Sequence, residues 1–212
     1  AKANYTFKEW DPAVQTSYSD NTTHNAVFVY TGEDVVPQPG DDKPDVPDNF
    51  VQVVFEKGTN GEFADGATTT YWVNPEKEVT VTAPAVTAND DYKHVAWTYG
   101  TKEVKTLESV TDKFTEKKTT ITAKYLKKVV TDDPNDTTNY VKVSFSAEKD
   151  GKFADGATTT YWVLKDTPVT FDVPSVTAND NYKFIEWKPE VKASYSEDTE
   201  HKAQSVSYTH LT

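Results

Sequence analysis

Residues 63–73 read FADGATTTYWV, and residues 153–163 repeat the same eleven letters. The offset of 90 holds further along the chain, where PAVTAND at 84–90 is matched by PSVTAND at 174–180. Eleven identical letters do not arise by chance, so the chain contains an internal duplication. A repeat of this length indicates a module of supersecondary structure that folds more than once.

A third copy is present in part near the N-terminus. NYTFKEW at 4–10 aligns with NYKFIEW at 181–187 at an offset of 177, and the register continues as far as Ala26 and Ala203. The alignment predicts that residues 1–32 are the C-terminal half of a module. We therefore expect the chain to be an internal piece of a longer protein.

Two acidic stretches separate the copies. Residues 33–49 carry four Pro and a net charge of −5, six acids against Lys43, and residues 131–139 are similar but shorter. Pro and charge repulsion favour an extended chain, so both stretches are predicted to be linkers, either semi-extended spacers or flexible tethers. The predicted organisation is a half-module at 1–32, a linker at 33–49, a complete module at 50–130, a linker at 131–139, and a second module at 140–212 with a truncated or artefactual last strand.

The end of the chain departs from the repeat. After Ala26 the first copy continues VFVY, a good closing strand, whereas after Ala203 the chain reads QSVSYTHLT. Two interpretations are open for residues 204–212. In the first, these residues are artefactual, since SYTHLT is typical of translated adapter sequence in a metagenomic fragment. In the second, they form a divergent strand, since alternation persists there. We favour the first.

Composition excludes several classes of protein. The chain has 212 residues, 34 acidic against 22 basic side chains, a net charge of −12, and no Cys. This balance offers no basic face for nucleic acid or for an anionic lipid surface. No apolar run approaches the about 18 residues of a membrane span. Without Cys there are no disulfides and no zinc–thiolate sites, and an aromatic content of 13% argues against a disordered chain.

Alternating apolar residues predict short strands throughout each module. Val51, Val53 and Phe55 alternate with polar residues, and the same pattern recurs at 140–145. The predicted fold class is mainly β, with small β-rich modules arranged as beads on a string. Further strands are predicted at 70–73, 78–83, 92–97 and 119–125, with turns at 61–66 and 87–91.

An aromatic signature precedes each closing strand. Trp97 lies five residues after Tyr92, an odd spacing that puts the two rings on opposite faces of a regular strand. Either Trp97 covers the second face or a bulge near Val95 and Ala96 turns it inward. We favour core packing. The predicted core signature comprises Tyr5, Phe7, Trp10, Tyr92, Trp97, Tyr182, Phe184 and Trp187.

The complete module is longer than the others between its signature and its closing strand. Trp97 to Ala123 spans 26 residues, whereas Trp187 to Ala203 spans 16. The ten extra residues fall within 99–118. They predict a longer hairpin or a short helical turn.

The order of motifs is V-x-V-x-F, a Gly turn, Y-W-V, an alternating strand, Pro, Y-x-F-x-x-W and T-I-T-A-K-Y. It resembles the Listeria–Bacteroides-type repeat, the internalin-type B repeat, of surface proteins of Gram-positive bacteria. The likeness covers the three copies but not the linkers, and Glu9, Ala96 and Glu186 replace the Gly that precedes Trp in that family. The resemblance implies β-grasp-like modules in tandem on cell-wall-attached or secreted proteins, some acting as stalks and some binding host ligands. It implies no catalytic residue.

The residues that could carry chemistry all have a simpler interpretation. No constellation for catalysis accompanies the four histidines, so His24, His94, His201 and His210 are predicted to be surface residues. Oxygen donors in two turns are weak calcium candidates, although Asn and Asp also favour turns by bonding their own backbone. These candidates are Asn89, Asp90, Asp91, Asn179 and Asp180.

Two pairs of adjacent aromatic residues are the candidate ligand-binding side chains. Tyr71 and Trp72, like Tyr161 and Trp162, point to opposite faces of a strand. If only one face is covered, one ring of each pair is exposed and can stack on a sugar or a protein. Packing between strands is the favoured interpretation.

The sequence thus predicts a structural repeat or stalk region of a bacterial cell-surface or secreted adhesin-like protein, projecting a distal binding domain. The alternative is an adhesive module that binds a host protein or glycan through exposed Tyr-Trp pairs. We expect no enzyme activity, no cofactor, no nucleic-acid partner and no membrane insertion. We also expect an extracellular location and a monomeric chain.

Overall fold

The computed structural model describes residues 1–208, and every regular element among them is a β-strand. The prediction of a mainly β fold is therefore confirmed. The chain divides into two compact units, Ala1–Ala88 with His94–Lys124, and Asn89–Lys93 with the residues from Tyr125 onward. Residues 209–212, including His210 and most of the SYTHLT segment, lie outside the described residues.

The chain opens with a two-stranded antiparallel hairpin, the N-terminal hairpin. Its strands are β1 (Tyr5–Asp11) and β2 (Asn25–Tyr30). The register shifts between Phe7 and Glu9, which marks a β-bulge. This hairpin corresponds to the predicted half-module.

The first module contains ten strands. Six form one sheet in the order β10-β9-β12-β4-β6-β3, in which the central strands β4 and β12 run parallel. Two short antiparallel ribbons, β5–β8 and β7–β11, complete it. The strands are β3 (Val35–Gln38), β4 (Val51–Glu56), β5 (Gly61–Phe63), β6 (Thr70–Val73), β7 (Val79–Thr82), β8 (Val86–Ala88), β9 (Tyr92–Tyr99), β10 (Lys102–Val104), β11 (Ser109–Asp112) and β12 (Lys118–Lys127).

The second module repeats this arrangement with fewer strands. Its sheet has the order β13-β16-β14-β19-β18, with β14 and β19 parallel at the centre, and one ribbon, β15–β17. The strands are β13 (Val129–Val130), β14 (Tyr140–Ser146), β15 (Gly151–Phe153), β16 (Thr160–Leu164), β17 (Val176–Ala178), β18 (Tyr182–Lys188) and β19 (Thr199–Ser207).

The acidic segment before the first module is more than a linker. Val35–Gln38 forms β3, an edge strand paired with β6, so the prediction of a spacer or tether is wrong for these residues. The equivalent dyad Val129–Val130 pairs with β16 in the second module. β-Branched Val favours strands, and Pro37, which has no backbone N–H, is tolerated because β3 lies at the sheet edge.

Alternate residues of the central strands form the core of each module. In the first module, Val53, Val73, Val81 and Val110 are fully buried, the last two on the β7–β11 ribbon. In the second module, the residues of β14 and β16 that face inward form one cluster with Tyr195. The strands predicted from alternation at 50–55 and 140–145 are therefore confirmed as core strands.

The closing strand of the second module is complete. β19 pairs with β18 through Ser207, which lies opposite Tyr182. The prediction of a truncated last strand is wrong for residues 204–207, because backbone pairing continues there although the side chains differ from VFVY in the first copy.

Candidate functional site

The two Tyr-Trp pairs lie on the strands that flank β4 and β14. Tyr71 and Tyr161 are only 8% and 6% exposed, and each packs edge-to-face on a Phe of the neighbouring strand, Phe55 or Phe145. Burial raises the pKa of both tyrosines. Trp72 and Trp162 point to the other face and are half-buried. The Tyr residues therefore belong to the core, and only the Trp residues face outward.

Residues of the acidic segment cover Trp72. Its Nε1–H donates to Oε1 of Gln38 at 2.8 Å, and Nζ of Lys43 lies 4.2 Å from the ring centroid. A cation over an indole face contributes about 0.5–2 kcal/mol. This ring already has a hydrogen-bond acceptor and a cation from its own chain, which leaves less of its surface for a ligand.

The 99–118 insertion forms the β9–β10 hairpin and strand β11 of the β7–β11 ribbon. Of the two predicted alternatives, the longer hairpin is confirmed and the short helical turn is wrong. Asp112 accepts hydrogen bonds from the Tyr99 hydroxyl and the Lys113 backbone N–H, both at 2.9 Å, and forms an ion pair with Lys102. Burial raises the pKa of Tyr99 to about 12, aided by its bond to Asp112 and by that charge. Burial also tends to raise the pKa of Asp112, but its bonds to Lys102 and Tyr99 outweigh this and hold it below its ordinary value.

A shallow cavity of about 340 Å³ lies beside this ion pair, lined in part by Tyr99, Lys102 and Phe114. Phe114 is 2% exposed and packs 6.1 Å from the Tyr99 ring. The polar groups here bind one another rather than converge on an open point. The cavity thus has an aromatic and charged rim that includes both Lys102 and Glu116.

His201 is fully buried, so the prediction of a surface histidine is wrong at this position. Its Nδ1 lies 2.7 Å from the Pro189 carbonyl oxygen and its Nε2 lies 3.0 Å from the Tyr195 hydroxyl. A carbonyl only accepts, so Nδ1–H donates to Pro189, and the second hydrogen bond joins Nε2 to the Tyr195 hydroxyl. The ring stacks on Phe145 at 5.0 Å. We call His201, Tyr195 and the Pro189 carbonyl the His–Tyr closure.

The His–Pro hydrogen bond and the His–Tyr ring contact of this closure recur in the N-terminal hairpin. Nδ1 of His24 lies 2.6 Å from the Pro12 carbonyl oxygen, and the His24 ring packs 5.3 Å from Tyr18. Backbone N–H groups donate to the hydroxyls of both tyrosines, from Gln15 at 2.8 Å in one copy and from Lys192 at 3.0 Å in the other. The alternation of His201 with Ala203 on β19 was the sequence signal for this burial.

The third described histidine has a different environment. His94 is half-buried, its Nε2 lies 3.0 Å from the Ala96 carbonyl oxygen, and its ring packs 4.7 Å from Trp97. Burial lowers the pKa of His94, partly offset by the bond to Ala96. Its contacts are those of a side chain at the edge of the core. His210 lies outside the described residues.

The calcium candidates occupy backbone turns. Tyr92 N–H donates to the Asn89 carbonyl at 2.9 Å, and the Asp90 and Asp91 carbonyls accept from the Lys128 ammonium at 2.7 Å and the Lys128 backbone N–H at 2.8 Å. In the other copy, Asn179 uses its side-chain amide to bond the Lys149 carbonyl, while Asp180 is exposed. Among residues 1–208, no three His, Asp or Glu side chains converge as metal ligands.

The core signature behaves differently in the three copies. Trp97 is 0% exposed, packs 5.0 Å from Phe55, and donates from Nε1 to the Leu107 carbonyl at 2.9 Å, which confirms core packing. Trp187 is half-buried and lies 5.0 Å from Phe145. The register of β18 shifts between Phe184 and Glu186, so a bulge precedes Trp187, as in one of the two alternatives considered for Trp97.

Core packing is wrong for two aromatic residues of the N-terminal hairpin. Trp10 and Phe7 are 45% and 43% exposed, because no described strand covers this face of the hairpin. Tyr5 is half-buried against Tyr30. In the other copies, Tyr92, Tyr182 and Phe184 are likewise half-buried.

A comparison with protein families, with curated proteins and with solved structures finds no match. Within residues 1–208, no helix is long and apolar enough to cross a membrane.

Proposed function

We propose that this chain is a structural repeat region whose modules act as load-bearing spacers in a bacterial cell-surface or secreted adhesin-like protein. In this role the modules hold a binding domain, located elsewhere in that protein, at a distance from the surface. The function is mechanical and involves no chemical reaction.

The observation that carries this proposal is the parallel pair at the centre of each sheet. β4 pairs with β12 and β14 with β19, in each case an early strand beside the last one. When two parallel strands are pulled from the start of one and the end of the other, the force runs along the strands. All hydrogen bonds of the pair are then loaded together rather than opened one by one.

The use made of the repeated residues supports the same role. In the duplicated YWV motif, Tyr71 and Val73 are buried, and so are Tyr161 and Val163. The repeated letters thus serve each module's own core. A net charge of −12 keeps a string of such modules soluble and self-repelling.

The predicted alternative, binding through exposed aromatic pairs, has less support. It requires an open indole face, whereas Trp72 is half-buried beneath Lys43 and bonded to Gln38. The alternative stays a prediction and shares no residue with the parallel pair.

Single-molecule pulling tests the mechanical role, and the lack of Cys makes it direct, since handles can be attached at any introduced Cys pair. Cys at Asn49 and Lys127 loads β4 and β12 in shear. Cys at Glu56 and Thr122, which are opposite in the register, opens the same pair from one end. We expect the shear pair to unfold at a several-fold higher force, releasing about 3.5 Å per residue.

Matched attachments in the second module serve as the control, because β14 and β19 are paired in the same way: Cys at Asn139 and Ser207 loads them in shear, and Cys at Ser146 and Lys202 opens them from one end. Equal unfolding forces for the two attachments would show that the parallel pair bears no special load. That result would contradict the proposed function.

A further inference from the structure

The N-terminal hairpin and the β18–β19 hairpin are built alike. Both have a bulge two residues after the first aromatic of the signature, at Phe7 and at Phe184. In both, the Phe and Trp rings of the signature lie 5.4 Å apart. Both close the loop between their strands with a His bonded to a Pro carbonyl. The bulge, the Phe–Trp contact and the His–Pro hydrogen bond are therefore common to the two hairpins.

Their exposure is not the same. Tyr18 is 46% exposed, whereas its counterpart Tyr195 is 3% exposed. Ala26 is exposed, whereas Ala203 is 4% exposed. Phe7, Trp10 and Phe28 form an aromatic cluster in which each of the three is more than two-fifths exposed. The hairpin thus presents, uncovered, the face that its counterpart buries.

The second module shows what covers this face. Phe145 of β14 packs 5.0 Å from Trp187 and stacks 5.0 Å from His201. β14 also pairs in parallel with Thr199–Lys202. The counterparts of these four residues, at the offset of 177, are residues 22–25.

Residues 22–24 differ from their counterparts in backbone structure. Thr199–His201 belong to β19, whereas residues 22–24 lie outside β2, which begins at Asn25. The strand is longer where β14 lies beside it. An added neighbour of the same kind would extend β2 by these three residues.

We propose that the N-terminal hairpin is an acceptor for a V-x-V-x-F strand, the strand that opens a repeat. The incoming strand pairs in parallel with residues 22–25 and places its Phe between Trp10 and His24. The occupant is the first half of a repeat, because this is the segment that fills the equivalent place in the second module. A second copy of this chain does not offer it, since β4 and β14 each already have a neighbour on both sides.

A peptide of residues 139–148, NYVKVSFSAE, tests the assignment on the full chain. It contains the strand but no Trp. We expect its addition to slow amide exchange at residues 22–25 by about tenfold, since these amides gain strand partners. The indole signal of Trp10 in NMR spectra should shift with it. The control peptide carries Val143→Ser and Phe145→Ser, and should do neither.

A variant of the protein provides the second control. Trp10→Ser should weaken peptide binding by about tenfold, because about 1.4 kcal/mol of aromatic packing is lost. Binding that Trp10→Ser leaves unchanged would overturn the proposal. Self-association of the chain without peptide, abolished by Trp10→Ser, would overturn it in favour of a second copy.

A covalent version provides an independent test if the peptide binds too weakly. Residues 128–180 are placed directly before Asn4, so that a complete repeat is formed at the N-terminus. We expect Tyr18 and Trp10 to become as protected from solvent as Tyr195 and Trp187, with one further cooperative unfolding event. An extension that leaves Trp10 as open to a soluble quencher as before would overturn the proposal.

Discussion

The two modules fill one core position with opposite chemistry. Ile121 lies beside Phe55 in the parallel pair of the first module, and His201 lies beside Phe145 in the second. Both side chains are fully buried. Ile needs no polar partner, whereas the imidazole is accommodated because the Pro189 carbonyl and Tyr195 bind its two nitrogens.

The two modules differ in how the chain continues after the strand that carries the signature Trp, β9 in the first module and β18 in the second. In the first, Tyr99 and Gly100 lead into the β9–β10 hairpin, and the φ of +53° at Gly100 suits its two-residue turn. In the second, Pro189 stands at the position of Tyr99 and ends the strand, because Pro cannot donate to the ladder. The insertion then supplies β11, whose Val110 is fully buried, while the shorter loop supplies Tyr195.

The difference shows how loop length sets core polarity. Ten extra residues allow the first module to close its core with apolar side chains from a ribbon. The shorter loop reaches the same place with one tyrosine and one backbone carbonyl, and a buried histidine completes the closure. The two solutions should differ most in their tolerance of substitution.

The largest expected effect is at the signature Trp. Trp97→Ala should lower the free energy of unfolding of the first module by about 3–5 kcal/mol, since a fully buried aromatic side chain is removed. Trp187→Ala should cost the second module less, because Trp187 is half-buried. Amide exchange followed separately in each module measures both. Equal losses from the two substitutions would contradict this difference between the modules.

Exchanging the two core residues tests the comparison directly. Ile121→His should destabilise the first module by about 2–3 kcal/mol, because an imidazole is buried where an aliphatic side chain packs. His201→Ile should destabilise the second module by about 1–3 kcal/mol, because the Pro189 carbonyl loses its donor. Urea unfolding monitored by module-resolved NMR signals measures each. Stabilisation by Ile121→His would refute the apolar description of the first core.

The tyrosine of the closure has a matched control within the chain. Tyr195→Phe should cost about 1–2 kcal/mol, because Nε2 of the fully buried His201 loses its partner and the Lys192 N–H loses its acceptor. Tyr18→Phe removes the same hydroxyl from the exposed copy, where water replaces it, and should change stability by less than about 0.5 kcal/mol. The same amide-exchange measurement reports both. A larger loss of stability from Tyr18→Phe than from Tyr195→Phe would mean that burial does not determine how much this hydroxyl contributes to the free energy of unfolding.

Sequence reasoning reached the strands but not the sheet order. Alternation located β4 and β14, because it depends on local side-chain periodicity, whereas the odd spacing before Trp97 left a bulge and cover of the second face as alternatives. β3 was missed because two Val residues in an acidic, Pro-rich segment give no periodic signal. The burial of His201 was missed because it depends on Tyr195 and Pro189, residues that only the folded loop brings to the ring. The parallel pairing of first and last strands is likewise a property of the whole module.

The smallest expected effect concerns Tyr99, whose position in the second module is taken by Pro189. Its pKa of about 12 in the folded state lies above the ordinary 10.0, so its contribution to stability is complete below pH 10 and is lost as pH rises toward 12. Tyr99→Phe should therefore make the stability of the first module less sensitive to pH between 10 and 12, while the second module keeps its own dependence through Tyr195, whose pKa burial also raises.

Asp112→Asn should lower the pKa of Tyr99 in an absorbance titration, since the carboxylate disfavours the phenolate. An unchanged titration in Asp112→Asn would mean that burial alone sets this pKa, and the ion pair beside it would then have no part in closing the first module.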